Sequence, residues 1–293
     1  MARTQYVHTF GEGRAQGSAG MKDLLGGKGA GLAEMAQLGL PVPPGFTIST
    51  QAVKLLRSGV QRQEIEVEVE AGLRFVEQCL DRRFGDAQSP LLVSVRSGAA
   101  VSMPGMMDTV LNIGLNPETI VGLTRASSNE RFAWDSYRRL IQMYGEIVLG
   151  LEHAGEQEQS PFAVLLATAK ERRGVTSDLD LTAADLQELA GEYESCIERL
   201  ASRSFPAAPR EQLWDTIMAV CDSWDNSRAR TYRQIHGIPE DLGTAINVQA
   251  MVYGNLGSES GTGVMFTRNP ANGERELYGE FLMNAQGEDV VAG

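Results

Sequence analysis

The sequence predicts an α/β fold in which a helical segment interrupts the chain that forms the sheet. Three observations support this prediction. An apolar, partly β-branched run follows Pro90 and predicts a strand over 91–95 that is buried on both faces. Residues 246–252 alternate apolar and polar side chains, which is the period of a strand. Between them, residues 116–205 place apolar side chains at helical spacing.

The first part of the chain predicts two strands and two helices. Residues 6–10 indicate the first strand, and a glycine-rich stretch follows it. Residues 46–48 indicate a second strand, and Thr50 after it is a candidate N-cap of a short helix. Residues 60–84 contain both alternating and helical patterns, but the alternating partners are glutamates, which favour a helix.

Lys28 lies at a predicted loop-to-helix boundary. From Lys28 onwards the apolar residues share one helical face, and Gly39 is expected just after the helix end. Gly26 and Gly27 precede it, so free N–H groups and a lysine would meet at a helix N-terminus, which favours phosphate. Gly29 follows where a P-loop has Ser or Thr, so this is not a P-loop. Taken alone, the pattern favours a glycine packing turn over a phosphate site.

The predicted strand over 91–95 is expected to stop at Arg96, Ser97 and Gly98. An arginine can bind phosphate or carboxylate through two N–H groups, and two small residues allow backbone N–H groups to approach the same anion. Residues 103–108 contain three methionines around a Pro-Gly turn and predict a soft, apolar cover. The alternative is an arginine in an internal salt bridge beside gap-filling methionines.

The helical segment contains three start signals. They are Asn116-Pro117, Ser160-Pro161 and a capping-box pattern from Thr182 to Asp185. Its aromatic residues are expected to form its own core rather than a cofactor site. A further helical stretch over 211–235 is expected to break at Asn226-Ser227.

The last part of the chain predicts a hairpin. Residues 254–263 form a Gly/Ser-rich loop, and a strand is expected over 264–267. Asn272-Gly273 is a hairpin signal, and a second strand is expected over 277–283. Without further support, the Gly/Ser loop is simply a surface connection.

Composition bounds the function. The chain has 293 residues, 42% of them hydrophobic, and a net charge of −12, which argues against nucleic-acid or anionic-membrane partners. No apolar run suggests a membrane span or a signal peptide, so a cytoplasmic protein is expected. The cysteines and histidines show no metal-ligand spacing, so no metal ligands are predicted. These residues are Cys79, Cys196, Cys221, His8, His153 and His236.

Several longer motifs resemble the pyruvate phosphate dikinase family. The run SVRSGAAVSMPGMMDT from Ser94 to Thr109 closely resembles its nucleotide-binding segment, and the phosphoenolpyruvate synthases are expected to share only the VRS core. The resemblance covers nearly the whole chain and is weakest in the helical segment. Further matching motifs are LLGGKG, SWDNSRA, AINVQAMVYGN, SGTGVMFTRNP and NAQGEDVVAG.

The resemblance implies an ATP-grasp-like nucleotide-binding domain with an inserted helical subdomain. On this basis residues 1–115 and 206–243 form the first subdomain, and residues 116–205 form the insert. Residues 244–293 form a second, incomplete subdomain. ATP and Mg²⁺ are the implied ligands.

The family also implies roles for particular residues. Lys28 and Arg96 match residues that contact ATP phosphates, and they are expected to converge on one phosphate site and to act in catalysis. The loop over 257–263 is expected to be mobile without nucleotide and to order over the phosphates. Candidate nucleotide contacts in the hairpin region are Gly261, Thr262, Gly263, Glu280 and Glu288. The two glutamates are candidates for contacts with ribose or metal.

In that family, ATP, phosphate and pyruvate become AMP, pyrophosphate and phosphoenolpyruvate through a phosphohistidine on another domain. The implied partners are therefore ATP, phosphate, a histidine domain and a pyruvate-binding barrel, with a homodimer formed through domains outside this chain. The family's acidic magnesium ligands lie beyond Gly293, so we expect a fragment with weak or absent ATP binding and no phosphoryl transfer by itself. The alternatives are a phosphoenolpyruvate-synthase-type phosphotransferase and a non-catalytic nucleotide-binding module.

Overall fold

A computed structural model describes residues 4–103, 105–151 and 159–292, and shows a mixed α/β fold. Pro104, His153 and the Glu288 side chain lie outside the described residues. In chain order the strands are β1 (Val7–Gly11), β2 (Arg14–Ala15), β3 (Gly45–Ile48), β4 (Arg83–Phe84), β5 (Pro90–Leu91), β6 (Val93–Ala99), β7 (Thr109–Ile113), β8 (Thr244–Ala250), β9 (Gly261–Phe266) and β10 (Tyr278–Met283).

The helices agree closely with the predicted start signals. Asn116 closes a capping box, Ser160 and Thr182 cap the helices that follow them, and Asn226 separates the last two long helices. The expected cap at Thr50 is wrong, because Ser49 accepts the N–H of Ala52 and Thr50 is already helical. The helices are α1 (Lys22–Gln37), α2 (Thr50–Arg57), α3 (Arg62–Leu80), α4 (Pro117–Ser127), α5 (Glu130–Met143), α6 (Pro161–Arg173), α7 (Ala183–Ala201), α8 (Pro209–Asp222), α9 (Ser227–His236) and α10 (Gly287–Ala292).

The central sheet has six strands in the order β2-β1-β3-β8-β6-β7, and neighbouring strands are antiparallel. β8 lies between β3 and β6, and six of its seven residues are fully buried rather than alternating. A central strand that is covered on both faces loses the alternation of an exposed sheet. The predicted border between residues 243 and 244 would separate β8 from the strands on both sides of it. β8 belongs to the same sheet as the strands of the first predicted subdomain.

β6 is longer than expected. The prediction that the strand stops at Arg96 is wrong, because pairing with β8 continues from Val93 to Ala99. Arg96 is thus held within a strand, with Asn247 of β8 and Thr109 of β7 as its neighbours in register. A strand paired on both sides is stiffer than a loop, so the backbone position of Arg96 is fixed by the sheet.

One hydrophobic core joins the sheet to the helical segment. Phe132, Tyr137 and Tyr144 belong to the same buried cluster as Phe46 and Val95 of the sheet. The expectation that the helical aromatic residues form a core of their own is therefore wrong, since α5 packs on β7 as well as on α7. Among the described residues, no helix combines the length and apolarity that a membrane crossing needs.

β9 and β10 form a separate two-stranded antiparallel hairpin. Gly261, Thr262 and Gly263 belong to β9, so the prediction that the loop extends to Gly263 is wrong. These residues pair with Met283, Leu282 and Phe281, and the pairing extends the strand past the glycines. All six residues of β10 are exposed.

Candidate functional site

A sharp break in α1 brings Lys28 against the end of β6. Gly26 has φ 69° and ψ 171°, so the helix is interrupted there and resumes at Gly27. A Cβ atom on Gly26 would lie 1.6 Å from the carbonyl oxygen of Gly98. Such an approach of two backbones requires glycine. The predicted loop before Lys28 is therefore wrong, because α1 already begins at Lys22; the structure shows instead a break within the helix at Gly26.

The ammonium group of Lys28 lies beside the strand that carries Arg96. Its Nζ donates to the carbonyl oxygen of Ser97 at 3.0 Å. Partial burial, and then the charge of Arg96, lower the pKa of Lys28 below its ordinary value. Both residues keep exposed surface. The positive charge of Arg96 disfavours the charged form of Lys28, and an anion bound near both side chains would be attracted by both.

A buried amide forms the floor beneath this pair, and sequence reasoning did not single it out. Asn247 is 2% exposed, and its Oδ1 accepts from the hydroxyl of Thr47 at 2.8 Å. A Cβ atom on Gly98 would lie 2.6 Å from its Nδ2, which has no hydrogen-bond partner among the described residues. The sequence does show a polar residue, Asn247, within the predicted strand, but only the sheet order shows that this strand is central and that the residue is buried.

The β6–β7 loop (described residues 100–103 and 105–108) borders the same site. Gly27 faces its start, because a Cβ atom there would lie 3.4 Å from the carbonyl oxygens of Ala99 and Ala100. Its end leads into Thr109, the neighbour of Arg96 in the sheet. Met103 is buried at 6% exposure, so the methionines are partly a packed core and not only a soft cover.

The hairpin residues lie on a different part of the fold. The hydroxyl of Thr262 donates to the carbonyl oxygen of Ala285 at 2.6 Å, and Glu280 is exposed opposite Val264. β9 packs mainly against β10 and α10, and the described residues show no extensive contact between this hairpin and α1. Lys28 and Arg96 therefore come together, whereas the hairpin candidates remain a separate group.

An apolar groove lies at the opposite end of β8 from Lys28. Its volume is about 470 Å³, and its lining includes residues 39–44, Cys79 and residues 250–252 but no lysine or arginine. It therefore lacks the charge that a phosphate site needs. The described residues also contain no group of three or more His, Cys, Asp or Glu side chains able to hold a metal ion. They do not fit Mg²⁺ without further ligands.

The family model described as pyruvate phosphate dikinase, AMP/ATP-binding domain, matches residues 22–57 and 51–293. The chain therefore belongs to this family of nucleotide-binding domains. The two cations and the backbone donors around them are contained in the matched region.

Named relatives are pyruvate, phosphate dikinases from plants and bacteria. The chain is 54% identical over 289 residues to pyruvate, phosphate dikinase 1, chloroplastic, of Arabidopsis thaliana, covering 98% of this chain and 29% of that protein. It is 54% identical over 291 residues to pyruvate, phosphate dikinase of Rhizobium meliloti (strain 1021), covering 99% and 32%. The chain thus spans about 30% of the length of these relatives.

Proposed function

We propose that this chain binds ATP with its terminal phosphates between Lys28 and Arg96. The observation that carries the proposal is the pairing of these two cations across α1 and β6, with the pKa of Lys28 lowered by its surroundings. Each cation can donate charge-assisted hydrogen bonds, and the N–H groups after Gly26 add neutral donors. The family's description as an AMP/ATP-binding domain supports ATP as the ligand.

We further propose that the chain serves the reaction of a pyruvate, phosphate dikinase. In that reaction ATP, phosphate and pyruvate give AMP, pyrophosphate and phosphoenolpyruvate, with a histidine on another domain as the phosphoryl carrier. Lys28 and Arg96 would hold the phosphates and stabilise the negative charge that shifts during transfer. Mg²⁺, when bound, would neutralise phosphate charge; the described residues contain no group of three or more His, Cys, Asp or Glu side chains that would hold it.

We propose an ATP-grasp arrangement in which the hairpin of β9 and β10 forms the second wall of the nucleotide site. Gly261 and Gly263 allow β9 to pair closely with β10, and the exposed surface of both strands is available for closure over a ligand. The segment over 116–205 would be the helical insert, although its described residues share the main core with the sheet.

The ATP proposal is tested by titrating ATP into isotope-labelled chain and following the amide resonances around residues 26–29 and 96–99. We expect weak saturable shifts there, and an affinity lowered by roughly 10- to 150-fold in Lys28→Ala, since a charge-assisted hydrogen bond contributes about 1.5–3 kcal/mol. Lys22→Ala is the matched control, because Lys22 is exposed on the same helix and its replacement removes the same charge. Equal affinities for all three proteins would refute the proposed site.

The dikinase proposal predicts that residues 1–293 do not exchange label between ATP and AMP. A separately supplied histidine domain should not restore the exchange, because the described residues contain no group of three or more His, Cys, Asp or Glu side chains able to hold a metal ion. Efficient exchange with Mg²⁺, above that of Lys28→Ala, would mean that other residues build the metal site.

A further inference from the structure

The β6–β7 loop can influence the proposed phosphate site only if its position is fixed. It leaves β6 beside Gly27 and rejoins the sheet at Thr109, next to Arg96. Within the loop, the N–H of Met106 donates to the carbonyl oxygen of Met103 at 3.2 Å. This turn orders the loop internally but does not tie it to the rest of the molecule.

A small second core lies beneath the loop and is separate from the main one. Met103 packs there with Trp224, Ala229 and Ile238, and Met106 and Met107 cover its edge. Methionine side chains are flexible and tolerate several packing arrangements. This core therefore keeps the loop packed against the protein but does not restrict it to one conformation.

Asn226 supplies a directional contact. Its Oδ1 accepts from the N–H of Ala229 at 2.7 Å, which caps α9. Its Nδ2 donates to the carbonyl oxygen of Met106 at 3.1 Å, across 120 positions of sequence. One amide therefore satisfies a helix terminus and binds the loop at once. The neighbouring ion pair of Arg228 and Asp108 is 3.6 Å long and largely exposed on the arginine side, so it adds little.

We propose that Asn226 is a positioning residue for the phosphate site: its side-chain N–H₂ holds the β6–β7 loop in place beside Lys28 and Arg96. The proposal deepens the proposed function and rests on it. An asparagine is required for this double contact, because aspartate offers the same acceptor to Ala229 but has no N–H to donate to Met106.

The test compares Asn226→Asp with Asn226→Ala in the 293-residue chain. The Asn226→Asp variant would keep the α9 cap, and a negative charge suits a helix N-terminus, so its unfolding midpoint should stay near that of the wild type. Amide exchange at Met106 should nevertheless accelerate roughly five-fold, the loss expected for one net hydrogen bond of about 1 kcal/mol. ATP affinity, measured by the same titration as above, should fall several-fold. Asn226→Ala should show both effects and a lower unfolding midpoint.

Asn116→Asp is the matched control. Asn116 also caps a helix, and its Nδ2 donates to the carbonyl oxygen of Ala207 at 2.9 Å, a contact that does not involve the loop. The control should leave exchange at Met106 and ATP affinity unchanged. If Asn226 only capped the helix, Asn226→Asp would show the exchange rate at Met106 and the ATP affinity of the wild type. A wild-type exchange rate or a wild-type ATP affinity in this variant would overturn the positioning role. Absence of ATP binding by the wild type counts against the proposed function instead, while the exchange comparison still tests the loop contact.

Discussion

Gly26→Ala tests the backbone approach that brings Lys28 to β6. The native φ and ψ of Gly26 lie in a region that only glycine adopts without strain, and occupying it with alanine costs about 1–3 kcal/mol. The added Cβ would also lie 1.6 Å from the carbonyl oxygen of Gly98, so α1 and β6 would have to separate. Overpacking of this kind costs about 1–3 kcal/mol more.

Together these effects predict a loss of about 2–6 kcal/mol in the free energy of unfolding, a large share of the stability of about 5–15 kcal/mol that is usual for a domain. The displacement should also break the hydrogen bond from Lys28 to Ser97 and weaken ATP binding. Gly31→Ala is the matched control on the same helix. No atom lies within 4 Å of its added Cβ, so the helix should gain about 0.5–1 kcal/mol.

Urea unfolding followed by circular dichroism measures the free energy of unfolding of both variants, and the ATP titration measures their affinity for ATP. The two substitutions add the same methyl group to one helix and should change stability in opposite directions. A free energy of unfolding for Gly26→Ala within about 0.5 kcal/mol of the wild type would refute the close approach of Gly26 to Gly98, since that is the range of ordinary surface substitutions.

Four further predictions follow from other parts of the structure. Burial alone would raise the pKa of Asp135, but the guanidinium groups of Arg138 and Arg139 lower it to about 2. The stability that the ionised Asp135 contributes should therefore be lost as pH falls from about 4 to 2. Asp135→Asn should remove this loss from an acid titration and should lower the free energy of unfolding by about 3 kcal/mol at neutral pH, measured by urea unfolding. Thr182→Ala should cost about 1 kcal/mol in the same assay by removing the α7 cap, whereas Thr182→Ser should not. Amide exchange over 257–260, the part of the predicted loop that precedes β9, should be fast without ATP and slower with it; slow exchange in both states would exclude an ordering loop. Because the pKa of Lys28 is lowered, ATP affinity should decline with rising pH before the ordinary lysine value of 10.5 is reached, and Lys28→Arg should abolish this decline in the titration.

Much of the candidate site was predictable because it depends on local chemistry and on recognisable motifs. The glycines before Lys28 favour an interruption of a helix, and the motif around Arg96 carries the family resemblance. Asn247 could not be found in this way, because its role depends on β8 lying between two strands that are distant in sequence. The dual contact of Asn226 was equally hidden, since a cap signal predicts the bond to Ala229 but not the one to Met106.

The sequence by itself determined most helices, the helix starts marked by Asn116, Ser160, Thr182 and Asn226, and the hairpin, because these depend on periodicity and on side chains close in the chain. The tertiary structure decided where strands end and which core each element joins. β6 continues past Arg96 because β8 pairs with it, and β9 begins at Gly261 because β10 pairs with it. Hydrogen bonds between strands connect residues of any separation in sequence, so strand length and sheet order follow from partners that no local pattern reveals.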